Sequence, residues 1–476
     1  MRPRQLYFAV FTWLVLSGGR FTAPFLTNVA QLSETLTGLA LAMQTVCMSM
    51  FLSVGGAIAD HLEKKYPHRG RAATLIFGLG LSTTAFMLHG VVVHFSQQNS
   101  ASKFVLSCHV ILRMVYSTGL AFVMPVLDGL TLSYLVEQGS QKEDFGKERL
   151  FGAVSWAIAS VILGPFIDIY GFEVLLVSAP LAFLYCFVTV AVFTHEMTSN
   201  ENPIGNADAG SDSEREGAIQ PDKRNEVVLD NDGPDIELLQ RVPDKPKRHF
   251  TWLLLKIVCG TAYSVGYILS SFTLSMGTSV VESLIFLFFE SLGSSSTMCG
   301  LTVVVTVVFE IPIFQMSPKL LELFGPEKLQ EIACLAYITR VVGYTFIPKN
   351  RMWMVLFLEP LHGVTYACAK TSQVEFAARI APKGYESSGQ GLLQGLIGIG
   401  SFIGLSLGGW LEDTFGPKMM YRSYATVVLV GLISLYVSEK LHKKRLEYEK
   451  EENNTLVLLT QSQRLNYQST SERGER

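Results

Sequence analysis

Charge is scarce in this 476-residue chain: Asp, Glu, Lys and Arg make up 17% of it, against about 25% in soluble proteins. The shortage is uneven. Charged residues crowd into a few segments and leave long apolar runs between them, which excludes an ordinary soluble domain and implies a multi-pass membrane protein. A net charge of −3 carries no basic footprint for nucleic acid. The seven cysteines stand singly in apolar runs, without metal-ligand or redox spacing, and read as small packing residues. There is no phosphate-binding loop, no HExxH and no nucleophile elbow, so the sequence is not that of an enzyme and calls for no cofactor or metal. Met1-Arg2-Pro3-Arg4 before an apolar run resembles a secretory leader, but the run continues past Gly18-Gly19 without a cleavage site, and a retained first helix is expected.

What is present is a series of apolar segments, each near or above the ~20 residues that a spanning helix needs. Cutting at charged and Gly/Pro clusters gives twelve: 5–29, 37–60, 72–95, 104–136, 150–168, 172–194, 260–289, 296–316, 329–348, 352–376, 388–412 and 420–438. Residues 250–258 are left over as an amphipathic lead-in. With the N-terminus inside, the short inner loops carry eleven Lys/Arg (Lys64, Lys65, Arg69, Arg71, Lys142, Lys147, Arg149, Lys319, Lys328, Arg379, Lys383). The outer loops carry five (Lys103, Lys349, Arg351, Lys418, Arg422). That bias puts both termini in the cytoplasm.

Residues 196–250 change character. From Glu196 to Arg248 there are thirteen acidic and seven basic residues among Asn, Gly, Ser and Pro, too little apolar surface to fold alone. The expected organisation is a six-helix bundle over 1–195, an acidic cytoplasmic linker over 196–250, a second bundle over 251–438 and a cytoplasmic tail over 439–476. Paired halves are a device for alternating access around a midplane site. Gly400, Gly404 and Gly408 recur every fourth residue, a pattern for close helix packing, and Gly152, Ser160 and Gly164 do similarly.

Ionisable residues inside the spans cost at least ~2.5 kcal/mol each if unpaired, so they face cavities and one another. Arg113, Asp128 and Arg149 lie in the first half, and Glu282, Glu310, Arg340, Glu359, His362 and Lys370 in the second. The expected pairs are Asp128 with Arg149 and Glu310 with Arg340. Arg20, near a span end, is expected to snorkel outward. Glu359 and His362 share a helical face with Thr365 and Tyr366. A histidine beside carboxylates can change charge near physiological pH, as proton coupling needs. Arg149, Gly152 and Trp156 share another face, where an indole could stack on a sugar-like ring while charged groups take its hydroxyls. Asp60, Arg69 and Arg71, at the joint of the second and third spans, suit either a conformational latch or positive-inside anchoring. Gln390 and Gln394 sit one turn apart in the eleventh span.

These residues resemble the major facilitator superfamily, in particular its lactose-permease-like and major-facilitator-domain-containing orphan branch. Pro125-Val126-Leu127-Asp128 resembles the permease's proline-x-x-acid on helix four. Phe145 to Trp156 resembles the segment with its sugar-binding arginine and stacking tryptophan. Glu310 before Ile311-Pro312, Arg340 in Ile338-Thr339-Arg340, and His362 in Leu361-His362-Gly363 fall where the family has a substrate-linked glutamate, a coupling arginine and a coupling histidine. The resemblance spans most of residues 5–438 and implies an all-α fold of twelve transmembrane helices in two pseudo-symmetric six-helix bundles. It further implies substrate contacts at Asp128, Arg149, Trp156, Glu310 and Gln394, and proton coupling through Glu310, Arg340, Glu359 and His362. Departures are specific. Thr365 replaces the family's glutamate one turn after the histidine, Glu359 replaces a lysine before it, Gln394 is the nearest polar group to a helix-eleven lysine, and Asp60-His61 replaces Asp-Arg.

The expectation is a secondary transporter, proton-coupled, for a small polar solute such as a sugar, glycoside or nucleoside, with protons, solute and lipid as its partners and a monomer by default. A transporter-fold receptor or sensor, and an uncoupled facilitator, stay open as alternatives.

Overall fold

The computed structural model describes residues 2–67, 69–95, 102–139, 144–200, 260–381 and 386–474. Helices α1 (Pro3–Leu16), α2 (Thr22–Asn28), α3 (Glu34–Lys65), α4 (Gly70–Phe95), α5 (Lys103–Glu137), α6 (Asp144–Tyr170) and α7 (Val174–Asn200) form the first half. The second half comprises α8 (Ala262–Ser291), α9 (Ser296–Gln315), α10 (Ser317–Thr345), α11 (Pro360–Ile380), α12 (Glu386–Phe415) and α13 (Pro417–Gly474). With α1 and α2 as one broken pass, this is the expected twelve-helix architecture, and the described residues contain no strand. The linker from residue 201, the lead-in at 250–258, Lys142 and Lys383 lie outside the described residues.

Ten of these passes are long and apolar enough to cross a membrane. The two that fall short among the described residues are α10 and α11, the helices that carry Arg340, Glu359 at the α11 N-cap, His362 and Lys370. Their charges lower the mean hydropathy, and three of these ionisable residues, Arg340, Glu359 and His362, are buried in the bundle. Meanwhile side chains such as Ile162, Val177, Leu181 and Leu184 stay more than half exposed, the belt a lipid-facing helix presents.

Local chemistry sets the helix ends. Ser33 and Ser295 accept the backbone N–H groups of Leu36 and Met298 at 3.3 and 3.2 Å, filling donors that a helix start leaves open. Gly325 (φ 71°) before Pro326 kinks α10. Gly18 (φ 120°) and Gly19 (φ 48°) interrupt the first pass in conformations that side-chain-bearing residues rarely adopt. The predicted glycine faces pack as such: a Cβ on Gly400 or Gly404 would meet the carbonyl oxygens of Phe272 and Met276 on α8 at 2.8 and 2.4 Å.

The halves meet at the end remote from the chain termini. Asp168 of α6 accepts the Ser296 and Thr297 backbone N–H groups at 2.7 and 3.0 Å and the Thr297 hydroxyl at 2.6 Å, capping α9 across the interface. Beside this cap, a Cβ on Gly300 would lie 2.3 Å from the Ser160 carbonyl. Thr35 donates to Asp413 at 2.5 Å, and Asn28 to Glu290 at 3.4 Å.

Candidate solute site between the two halves

Midway along the interface lies a cavity of about 320 Å³ whose walls come from both halves. Phe11, Gly19, Arg20, Ala153 and Trp156 face Glu282, Ser283, Val307, Glu310, His362 and Tyr366. The break at Gly18-Gly19 turns Arg20 into it. The guanidinium Nη2 stands 3.0 Å from His362 Nε2, so Arg20 does not snorkel to the interface as its place near a span end suggested. A cation at this depth is stabilised by polar partners that lipid cannot offer.

Trp156 is set by packing on both sides. Its ring lies over Gly19, where a Cβ would meet it at 3.5 Å, and Phe11 meets it edge-on, centroids 6.4 Å apart at 73°. Ser155 ties α6 to α1 by donating to the Phe8 carbonyl at 2.7 Å. Phe11 continues to Tyr7, whose hydroxyl donates to Asp128 at 2.6 Å. Asp128 pairs with Arg149 at 3.8 Å, as expected, with 35% and 54% of their side chains exposed. Arg149 is within electrostatic reach of Tyr366 and Lys370 on α11, so this half-exposed pair faces the second half. Neither residue is among those that line the cavity.

On the other side, α9 and α11 approach so closely at Gly363 that a Cβ there would meet the Glu310 backbone N at 2.7 Å. That contact sets Glu310 and His362 side by side. Glu310 lies within electrostatic reach of Arg20 and Glu282, and neither carboxylate has an ion-pair partner among the described residues. The expected Glu310–Arg340 pair is corrected here. Arg340 pairs with Glu359 at 3.1 Å, each side chain 1% exposed. Thr306 and Tyr344 donate to the same carboxylate at 2.9 and 2.6 Å, and Arg340 Nε donates to the Tyr344 hydroxyl. The reason is topological: Arg340 and Glu359 flank one short connection between adjacent helices, whereas Glu310 sits on the far side of His362.

The ring nitrogens of His362 are likewise not paired with a carboxylate. Nε2 faces Arg20 and Nδ1 faces Arg340, and both guanidiniums only donate. A neutral imidazole has a single acceptor nitrogen, so it satisfies one arginine at a time. An imidazolium would satisfy neither. Tyr366 stacks with the ring at 6.3 Å and 6°. Thr365, where the resemblance looks for a titratable group, is buried with its hydroxyl on the Leu361 carbonyl at 2.8 Å.

Gln394 is exposed on α12 and does not line this cavity, while Gln390 donates to the Val374 carbonyl at 2.6 Å. At the α3–α4 joint, Arg71 pairs with Asp60 at 2.9 Å and also reaches Ser133 on α5. Arg69 instead borders a separate crevice with His195, so the Asp60–Arg71 contact works within the first half. Sequence reasoning missed Phe11, Tyr7 and Tyr344 as parts of these arrays and misplaced Arg20; the paired glycines before Arg20 were the available signal.

The MFS_1 like family matches residues 6–423. The chain belongs to that family. The maltose permease of Geobacillus stearothermophilus is 22% identical over 443 residues, covering 92% of this chain and 95% of the permease. Among solved structures, the nucleoside transporter NupG superposes with a TM-score of 0.66 at 12% identity, over 92% of this chain and 100% of that one. A D-xylose-proton symporter superposes at 0.55 with 15% identity, over 91% and 95%. Both structural likenesses show the fold. The protein is thus a major-facilitator, multi-pass integral membrane protein of a transporter family, not an enzyme.

Proposed function

We propose that the protein is a proton-coupled symporter of a small polar solute, a sugar, glycoside or nucleoside, working by alternating access. The observation that carries the reading is the cavity itself: an indole face at Trp156, two unpaired carboxylates at Glu282 and Glu310, and a cation at Arg20, all between two halves that meet at the end remote from the termini. An aromatic face with bidentate charged donors suits a hydroxylated ring, and a cavity of about 320 Å³ falls at the small end of ligand pockets. The names of the relatives, a maltose permease, a nucleoside transporter and a xylose-proton symporter, lie in the same solute range.

In this reading both termini are cytoplasmic and the described state faces inward. Glu310 carries the proton at the solute site, because both ring nitrogens of His362 face arginines, which disfavours the imidazolium, and Thr365 has no ionisable group. Its unpaired carboxylate is stable in the cavity as the acid or beside a cation, and proton binding there favours solute release or capture by changing one hydrogen-bonding group. Asp128 and Arg149 meet the solute at the mouth. The Arg340–Glu359 pair holds the second half's wall and fixes His362.

Thermal-shift screening of the purified protein against sugars and nucleosides identifies the solute, since a ligand stabilises by mass action. The hit should vanish in Trp156→Ala and Arg20→Ala. Counterflow in proteoliposomes then separates transport from sensing: saturable binding without counterflow would make the protein a receptor, and accumulation indifferent to a pH gradient would make it a facilitator.

A further inference from the structure

Lys370 lies one turn beyond Tyr366 on α11 and outside the solute cavity. It is half-buried, and among the described residues its ammonium makes no hydrogen bond or ion pair. A cation without a partner on a spanning helix is costly, and such groups mark cavities and solute pathways. Lys370 has a cavity of its own. Phe314 near the end of α9, Ser317 at the start of α10, and Lys370, Thr371, Val374 and Glu375 of α11 line a space of about 400 Å³, within the range of ligand pockets.

The two cavities are divided by the Tyr366 ring, which lines the first. Phe314, on the wall of the second, meets that ring edge-on, centroids 6.0 Å apart at 78°, and the Lys370 ammonium lies 5.9 Å from its centroid. His362, Tyr366, Lys370 and Val374 follow one another at four-residue steps, so the side of α11 that faces the first cavity continues into the second. Because α9 begins where the halves meet, its Phe314 end places the second cavity toward the end bearing the termini.

The polar groups here are the set that a hydroxylated ring needs, since each of its hydroxyls both donates and accepts. The Lys370 ammonium only donates. The Glu375 carboxylate, held by Arg379 Nε at 2.7 Å, only accepts. Ser317 and Thr371 can do either, and among the described residues neither hydroxyl has a hydrogen bond. Phe314, 37% exposed, adds an apolar surface.

We propose that this second cavity is an inner binding station for the same solute, with Lys370 donating to its hydroxyl oxygens and Glu375 accepting from its hydroxyls. The station rests on the reading of the protein as a transporter of a hydroxylated solute, and adds a second site to it. It binds more weakly than the first cavity, because it offers a phenyl ring in place of an indole and no residue of the first half lines it.

Solute protection of a thiol tests the station. Leu321 lines the same cavity without a polar role. Labelling of Leu321→Cys by N-ethylmaleimide, read on its own peptide by mass spectrometry, reports occupancy there in the full-length protein, with maltose and uridine as probes. A probe that raises the melting temperature should slow this labelling by about threefold or more at saturation. Half-protection should need about tenfold more probe than the melting shift does. Lys370→Met should abolish the protection, Lys370→Arg should restore it, and Trp156→Ala, which empties the first cavity, should leave it in place. If Leu321→Cys fails to melt cooperatively, Val374→Cys on the facing wall replaces it. Protection that is lost in Trp156→Ala comes from solute in the first cavity, and protection indifferent to Lys370→Met does not depend on the ammonium; either result overturns the station. A melting shift and counterflow without protection strike the station alone and leave the transport reading standing. Neither melting shift nor counterflow with either probe strikes the sugar and nucleoside reading, and the station falls with it.

Discussion

Removing the Asp168 carboxylate should open the end remote from the termini. Asp168 takes three donors from the start of α9 at 2.6 to 3.0 Å, two of them backbone N–H groups that a helix start leaves open. Hydrogen bonds to a charged group contribute roughly 1.5–3 kcal/mol each where water is excluded, and a carboxylate at a helix N-terminus adds about 0.3–1 kcal/mol. Asp168 is solvent-exposed, so both figures shrink, and about 2 kcal/mol for the whole contact is a reasonable magnitude. These bonds join the two halves, so they exist only while this end is closed. Asp168→Ala therefore removes about 2 kcal/mol from the closed state alone, which shifts the population open at this end about thirtyfold. Spin labels at Glu173→Cys and Lys349→Cys, both exposed at this end, report it by double electron–electron resonance. The long-distance population should grow in Asp168→Ala and grow less in Asp168→Asn, which keeps an acceptor. An unchanged distance distribution would refute the reasoning that the cap is a state-specific contact.

Other outcomes follow from the same geometry. Gly300→Val places its first added carbon near 2.3 Å from the Ser160 carbonyl, and should shift the same spin-label distances outward with little loss of melting temperature. Breaking the buried pair by Arg340→Ala should cost about 3–5 kcal/mol, and the double replacement Arg340→Met with Glu359→Leu much less, as read by denaturation in detergent. The half-exposed Asp60–Arg71 pair should behave oppositely: Asp60→Asn should change stability by no more than about 1 kcal/mol. Arg113 is buried with no carboxylate partner, held by Gln44 and by the Tyr116 ring 4.2 Å away, so Gln44→Leu should destabilise by about 2 kcal/mol and Arg113→Met should recover part of that loss.

The twelve-helix layout was legible because bilayer thickness imposes one length on every span, and the runs of Leu, Val and Phe meet it. The Asp128–Arg149 pair was legible for a related reason: consecutive helices joined by a short loop leave their facing ends few alternatives. Partners on helices distant in sequence were not. The sequence paired Arg340 with Glu310, but the helix packing sets Glu359 and His362 against Arg340 instead. Arg20 looked like an interfacial residue because its depth depends on the break at Gly18-Gly19, and a helix drawn straight through puts it elsewhere. Asp168, at the end of a span, carried no signal of its role; its partner Ser296 lies 128 residues away, across an interface that hydropathy does not describe.

The measurement nearest the central claim is solute counterflow and pH-gradient-driven accumulation in proteoliposomes, with wild type, Trp156→Ala and Glu310→Gln side by side. Maltose and uridine serve as the first probes. The account predicts counterflow and uphill uptake for wild type, loss of both in Trp156→Ala, and counterflow without uphill uptake in Glu310→Gln. Uphill, gradient-driven uptake that survives in Glu310→Gln, or counterflow untouched by Trp156→Ala, would contradict it.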